Sequence, residues 1–149
     1  MSKRTTAKSN APLVRQTARN SYSTDDEYVL WTFRKVDRAG LFKFDPNSKE
    51  FDVKDFLFKM LSYSNMTWAE IKKQTHDKGK SKHHFLSASS LSKEALKRIK
   101  HKRLEEFTDY IFSFALNNLV RVIGIRNPNS PEFEVIWYDA KHQFAPSGQ

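Results

Sequence analysis

The chain has 149 residues, 38% of them hydrophobic and 29% charged, which suits one domain with one modest core. Its 26 Lys and Arg exceed its 17 Asp and Glu, so the formal net charge is +9 and nucleic acid is the expected class of partner. The absence of cysteine excludes disulfides, thiolate zinc sites and iron–sulfur clusters. No apolar run approaches the roughly 20 residues of a membrane helix, so we expect a cytoplasmic protein that does not enter a membrane.

The excess positive charge is concentrated in two segments. Residues 1–24 contain five Lys and Arg and no acid, with many Ser, Thr and Asn, which predicts a disordered basic arm. Residues 71–103 contain eleven Lys and Arg against two acids, a net charge of +9. This distribution predicts that residues 25–149 form a single domain with a nucleic-acid-binding surface, and a solvated helix face is an equally weighted alternative.

The middle of the chain predicts a strand followed by three helices. Residues 28–36 alternate apolar and polar positions, as a strand does. Asp52 precedes an apolar stripe with helical spacing, and Thr67 to Glu70 has the form of a capping box. Ser92 caps a third, short and strongly cationic helix, in which Lys97, Arg98 and Lys100 point to solvent or a ligand.

The last third of the chain predicts three strands. Residues 110–115, 119–125 and 133–138 are rich in β-branched and aromatic residues, and they are joined by a turn at Asn117-Asn118 and a loop at 127–131. Short connections make consecutive strands antiparallel neighbours. The predicted fold class is therefore α+β, with a curved antiparallel sheet, the C-terminal meander, packed against two or three helices.

Arg121 is the first candidate functional residue, because on a strand it shares a face with inward apolar residues. A charged side chain that faces inward needs either an oppositely charged partner or a functional role. An ion pair with Asp109, Glu132 or Glu134 is the more strongly weighted interpretation, and a phosphate clamp is the functional one. Arg126 ends the same strand on the opposite face and is expected to be a loop residue.

Three histidines are further candidates. His83 and His84 are adjacent on a strand, so only one of them can face a given pocket. Neighbouring lysines disfavour a charged imidazole, which leaves it available as a general base. His142 follows the last strand, where Asp139 could orient it. Exposed surface histidines are an equally weighted interpretation for all three.

The sequence predicts no metal site and no cofactor. The histidines lack the spacing of a metal site, and the chain has no cysteine. Its four glycines form no phosphate-binding loop, and no serine lies in a nucleophile elbow.

Several short runs resemble a small bacterial family of uncharacterised proteins, a resemblance that implies no activity. These runs are His83-His84-Phe85, Leu91-Ser92-Lys93-Glu94-Ala95, Phe112-Ser113-Phe114, Arg121 with Gly124-Ile125-Arg126, and Ile136-Trp137-Tyr138-Asp139 followed by His142. More distantly, the order of helices and meander is similar to the RelE-like ribonuclease toxins. That resemblance implies metal-free RNA cleavage through the 2′-hydroxyl and matches Arg121, Tyr138 and His142 to the family's sheet residues. The family's lysine pair near the sheet is displaced here into helices and a loop.

Together these features predict a metal-independent endoribonuclease of toxin or phage-defence type. His84 would act as base, Arg121 as the cation and His142 as acid. The residues expected to bind nucleic acid are Lys72, Lys73, Lys78, Lys80, Lys82, His83, Lys97, Arg98 and Lys100. Two alternatives are a nucleic-acid-binding module without chemistry, and an interaction protein whose basic face docks an acidic partner such as an antitoxin.

Overall fold

A computed structural model describes residues 23–76 and 79–146. This part of the chain contains three α-helices, two short 3₁₀-helices and five strands. The helices are α1 (Val53–Ser64), α2 (Trp68–Lys73) and α3 (Lys93–His101), and the 3₁₀-helices are Ala88–Ser90 and Glu105–Tyr110. The strands are β1 (Leu30–Thr32), β2 (His84–Phe85), β3 (Ile111–Ala115), β4 (Arg121–Arg126) and β5 (Glu132–Asp139).

The five strands form one open, mixed sheet in the order β1-β5-β4-β3-β2. The predicted α+β class and the antiparallel meander of β3, β4 and β5 are confirmed. The sheet as a whole is mixed, because β1, outside the meander, pairs with β5 in parallel. This pairing joins residues about one hundred positions apart, and a local alternation pattern carries no information on the direction of such a partner.

A β-bulge interrupts the ladder between β4 and β5. Ile123 pairs with Trp137 and Gly124 pairs with Val135, so Ile136 has no partner in β4. The two backbones approach closely here, and a Cβ on Gly124 would lie 1.9 Å from the Glu134 carbonyl oxygen. Glycine is therefore required at position 124, since any side chain would push the strands apart.

The helices begin where the capping residues predict. Asp52 accepts a hydrogen bond from the Asp55 amide at 2.9 Å, and Ser92 accepts one from the Ala95 amide at 3.1 Å. Thr67 and Glu70 form both bonds of a capping box. These caps satisfy amides at helix ends that have no partner within the helix. None of these helices is both long and apolar enough to cross a membrane.

Apolar residues on the two faces of the sheet form two separate cores. Helices α1 and α2 contribute Met60, Tyr63, Trp68 and Ile71 to the core that contains Phe112 and Phe114. Helix α3 contributes Ala95 and Ile99 to the other core, around Ile123, Trp137 and Phe144. Each face of the sheet is thus covered by a helix layer, and the two-residue strand β2 lies at one edge of the sheet.

Candidate active site

A cleft of about 540 Å³ lies beside β2 and is lined by His84, Arg121 and His142. These three side chains come from β2, from the first residue of β4 and from the turn that follows β5. The strand order places β3 between β2 and β4, and the cleft also includes Ser113 of β3. The structure therefore brings together all three residues that the sequence nominated for catalysis.

The Arg121 side chain lies in the cleft wall and is held there by backbone carbonyl oxygens of nearby residues. The side chain is 8% exposed, and Nη1 donates hydrogen bonds to the carbonyl oxygens of Asn117 at 2.8 Å and Val120 at 3.1 Å. Within residues 23–76 and 79–146, Nε and Nη2 have no hydrogen-bond partner. Two of the five guanidinium N–H donors are thus used, and the remainder are available to a ligand.

The ion pair predicted for Arg121 is not found among the described residues. Glu132 and Glu134 instead lie beside Arg34, at 3.9 and 3.4 Å. The carboxylate opposite Arg121 in the β4–β5 ladder is that of Asp139, which does not contact it as an ion pair. Burial lowers the pKa of Arg121, and the charge of Asp139 acts in the opposite direction. Arg121 is therefore a buried cation that faces the cleft without a carboxylate partner in the part of the chain that the structure describes.

Asp139 fixes the turn that carries His142. The buried carboxylate accepts hydrogen bonds from the Gln143 amide at 2.9 Å and the Phe144 amide at 2.8 Å. His142 has a φ of +56°, in the left-handed region that a non-glycine residue rarely adopts. Asp139 thus orients His142 through the backbone of the turn.

His84 and His142 have lowered pKa values for the same reasons. Burial lowers the pKa of His84, and the charges of Arg121 and His76 lower it further, while the Ser81 backbone acts in the opposite direction. Burial and the charge of Arg121 also lower the pKa of His142, and Asp139 opposes them. Both imidazoles are consequently more often neutral at pH 7 than free histidine, and mild acid is needed to protonate either one.

His83 has a structural position, directly before β2. It is 2% exposed, accepts a hydrogen bond from the Ala115 amide at Nδ1 (3.1 Å) and lies 2.7 Å from the Gln74 side-chain oxygen at Nε2. Burial, reinforced by the Lys82 charge, lowers the pKa of His83 to about 3. The sequence nominated His83 for nucleic-acid binding, whereas its hydrogen bonds use both ring nitrogens of a neutral imidazole.

The nominated lysines divide into two groups. Lys80 lines the cleft, and Lys72 and Lys73 lie on α2, where Lys72 forms an ion pair with Asp25 at 3.0 Å. Lys82 precedes β2 in the chain, and Lys78 lies outside the described residues. Lys97 and Lys100 are exposed on α3 and do not line this cleft. The cationic helix and the cleft are therefore separate features of the surface.

The sequence predicted that Arg98 points to solvent or a ligand, but the side chain instead contacts a buried carboxylate. Its guanidinium donates two hydrogen bonds to the Asp37 carboxylate, at 2.9 and 2.8 Å, and Asp37 is 2% exposed. Trp137 of β5 donates a third bond to the same carboxylate at 3.0 Å. No local sequence pattern indicates this pair, because Asp37 lies 61 positions away in a segment without regular structure.

Arg126, expected in a loop, is instead a buried residue of β4. It is 2% exposed, and its guanidinium carbon lies 3.9 Å from the centroid of the Trp68 ring. Its position on the face opposite Arg121 follows from strand alternation. The partner ring lies 58 positions away, so only the tertiary structure reveals the stacking.

No cluster of three or more metal-ligating side chains occurs in the described ranges. The cleft instead contains three imidazoles, those of His76, His84 and His142, and the Arg121 guanidinium, the donor set of proton transfer and anion binding. In comparisons with known proteins, no family model, no curated protein and no solved structure matches this chain.

Proposed function

We propose that the protein is a metal-independent endoribonuclease that needs no cofactor. The observation that supports this is the convergence of His84, Arg121 and His142 on one cleft, from parts of the chain up to 58 residues apart. Two imidazoles and one cation are the groups that cleavage of RNA through its own 2′-hydroxyl requires. The proposal places the protein in the cytoplasm, in a toxin or phage-defence role.

The proposed reaction is an in-line transfer within the substrate. His84 removes the proton of the 2′-hydroxyl, whose oxygen then forms a bond to the adjacent phosphorus. Arg121 stabilises the charge that develops on the non-bridging oxygens through its available N–H donors. His142 donates a proton to the 5′-oxygen as the bond from phosphorus to that oxygen breaks. The products are a 2′,3′-cyclic phosphate and a 5′-hydroxyl, and no metal or oxidant takes part.

The test is incubation of the full chain with total RNA in EDTA. Cleavage that leaves 2′,3′-cyclic phosphate ends is expected, together with loss of cleavage at a site whose 2′-hydroxyl is replaced by hydrogen. His84→Ala and His142→Asn should each reduce the rate by about 10²-fold or more, as removal of a general acid or base does. Asparagine suits position 142 because it tolerates a positive φ.

His101→Ala is the matched control, because His101 is exposed at the end of α3 and does not line the cleft. It should cleave as the wild type does. RNA that is bound but left intact in EDTA would contradict the endoribonuclease and favour a binding module, in which Lys80 and its neighbours only neutralise phosphates. An acidic protein such as an antitoxin is the proposed alternative partner of the same basic surface.

A further inference from the structure

A second cleft, of about 600 Å³, lies on the other face of the sheet and meets the first around β2. Ser81, His84 and Phe85 line both clefts. The second cleft is also lined by Lys72 of α2 and by Arg126, at the end of β4. Strand β2 pairs with β3 on one side only in the described sheet, so the two clefts are separated by a two-residue edge strand.

Arg126 is an incompletely satisfied cation in this second cleft. Nη2 donates a hydrogen bond to the Thr24 hydroxyl at 3.1 Å, whereas Nε is buried and has no partner within the described residues. No carboxylate of those residues forms an ion pair with it. Asp25 is the carboxylate whose charge acts on Arg126, and it is paired with Lys72 at 3.0 Å.

The surroundings of Arg126 fit an anion site better than a structural role. A buried charge is expensive unless it is paired, and stacking on Trp68 offsets only part of that cost. A guanidinium whose only role was structural would be expected to have a carboxylate partner. Stacking also fixes the plane of the guanidinium, so its N–H donors are already oriented before a planar or tetrahedral anion binds.

We propose that Arg126 binds a backbone phosphate several nucleotides from the scissile one, since five residues of strand β4, about 17 Å, separate it from Arg121, and that the substrate is therefore single-stranded RNA that bends around the edge strand β2. This inference rests on the proposed function, because it takes RNA as the ligand of the first cleft. His84 lines the cleavage cleft, and Phe85, which is 38% exposed, follows it directly. An exposed aromatic ring between two phosphate sites offers a stacking surface for one base. A duplex is too stiff to follow two opposite faces of one sheet edge.

The test measures binding without cleavage, by fluorescence anisotropy with 2′-O-methyl oligonucleotides, which lack the nucleophile. Probes of two and six nucleotides, single-stranded and duplex, are compared for the full-length wild type and for Arg126→Met. Arg38→Met is the matched control, because Arg38 is exposed and lines neither cleft. Thermal unfolding is recorded for each variant, with and without the six-nucleotide probe.

Arg126→Met should bind the single-stranded six-nucleotide probe at least about tenfold more weakly, as loss of one charged phosphate contact does. Its melting temperature without probe should equal or exceed that of the wild type, because replacing an unpaired buried charge by an apolar side chain removes a cost. The Arg38→Met control should match the wild type in both measurements, and the duplex should bind more weakly than the single strand.

Unchanged affinity of Arg126→Met overturns the inference, and so does a fall of more than about 5 °C in its melting temperature, which assigns Arg126 to the fold. Equal displacement of the probe by polyglutamate also overturns it, in favour of an acidic protein partner. These outcomes are distinct from failure of the proposed function. If RNA binds through Arg126 but is not cleaved in EDTA, the proposed endoribonuclease activity is contradicted and the proposed anion site is not.

Discussion

Arg98 and Asp37 join helix α3 to the segment that follows β1 through two parallel hydrogen bonds of 2.8 and 2.9 Å. The Asp37 side chain is 3% exposed and that of Arg98 is 16% exposed, so water screens this pair little. The Trp137 indole donates to the same carboxylate and ties the pair to the central sheet. The pair thus links three parts of the chain that share no local sequence signal.

Arg98→Gln is expected to lower the free energy of unfolding by about 3 to 5 kcal/mol, because it leaves the buried Asp37 carboxylate without its charged partner. Urea unfolding measures this change. Lys97→Gln is the control, since Lys97 is exposed and, among the described residues, pairs only with Glu94; it should shift stability by about 0.5 kcal/mol or less. If Arg98→Gln left stability unchanged and weakened RNA binding, the original interpretation of Arg98 as a nucleic-acid contact would be restored.

Asp37 should also make stability depend on pH in the acid range. Burial alone would raise the pKa of Asp37, but hydrogen bonds from Arg98 and Trp137 outweigh it and hold the pKa below the ordinary value of 3.8. A carboxyl group whose pKa is lower in the folded state stabilises the fold above its unfolded pKa, and this contribution is lost as pH falls through the folded value. Urea unfolding between pH 7 and pH 3 should therefore show a loss below about pH 4 that is smaller in Asp37→Asn.

Local features of this fold were predictable from sequence and long-range ones were not. The caps at Asp52, Thr67 and Ser92 depend on residues three positions apart, so a short window contains the whole signal. The parallel pairing of β1 with β5 is a long-range feature. It depends on which distant strand of the sheet has an edge that no other strand occupies. Alternation along the chain predicts a strand but not its neighbour.

The same distinction applies to the candidate site. Arg121 was identifiable because a charge among inward apolar residues contradicts the strand pattern, and His84 and His142 because they flank strand ends. The burial of His83 depends on Gln74 and Ala115, and that of Arg126 on Trp68. Contacts of this kind form only when separate elements pack, so no spacing rule could reveal them.

The expected pH dependence of cleavage follows from the lowered pKa values of His84 and His142. Both lie below the ordinary value of 6.5, through burial and through the charge of Arg121. A neutral base and a protonated acid are needed together, so kcat/KM should follow a bell centred below about pH 6.5. His84→Ala should remove the limb that falls toward acid, and His142→Asn the limb that falls toward alkali. An optimum above pH 7 in the wild type would exclude this pair as base and acid.

The salt dependence of RNA binding should distinguish the two groups of lysines. Lys80 lines the first cleft and Lys82 lies two residues before β2, whereas Lys97 and Lys100 lie on α3 outside both clefts. On single-stranded RNA each lost phosphate contact should flatten the slope of log affinity against log salt by about 0.7. Replacing Lys80 and Lys82 by Gln should therefore flatten it by about 1.4 at most. The matched Lys97 and Lys100 double variant should keep the wild-type slope, and a larger effect from that pair would move the binding surface to α3.

Substitution of Arg121 distinguishes an effect on catalysis from an effect on stability most directly. No carboxylate of the described residues is paired with it, so Arg121→Ala leaves no stranded charge and removes only two hydrogen bonds to backbone carbonyls. We expect a loss of about 1 to 3 kcal/mol in the free energy of unfolding, from two net hydrogen bonds of ordinary strength. Cleavage of RNA in EDTA should fall by about 10²-fold or more, because the cation that meets the developing phosphorane charge is gone.

Arg121→Lys refines this prediction, because it keeps the charge and removes the planar fork. Lysine cannot donate in parallel to two oxygens of one phosphate, so cleavage should recover only in part while stability stays close to that of the wild type. Unfolding and cleavage are measured on the same preparations. Full cleavage by Arg121→Ala would remove Arg121 from the site. A loss of stability beyond about 3 kcal/mol would show that its charge supports the fold through Asp139 opposite it in the ladder.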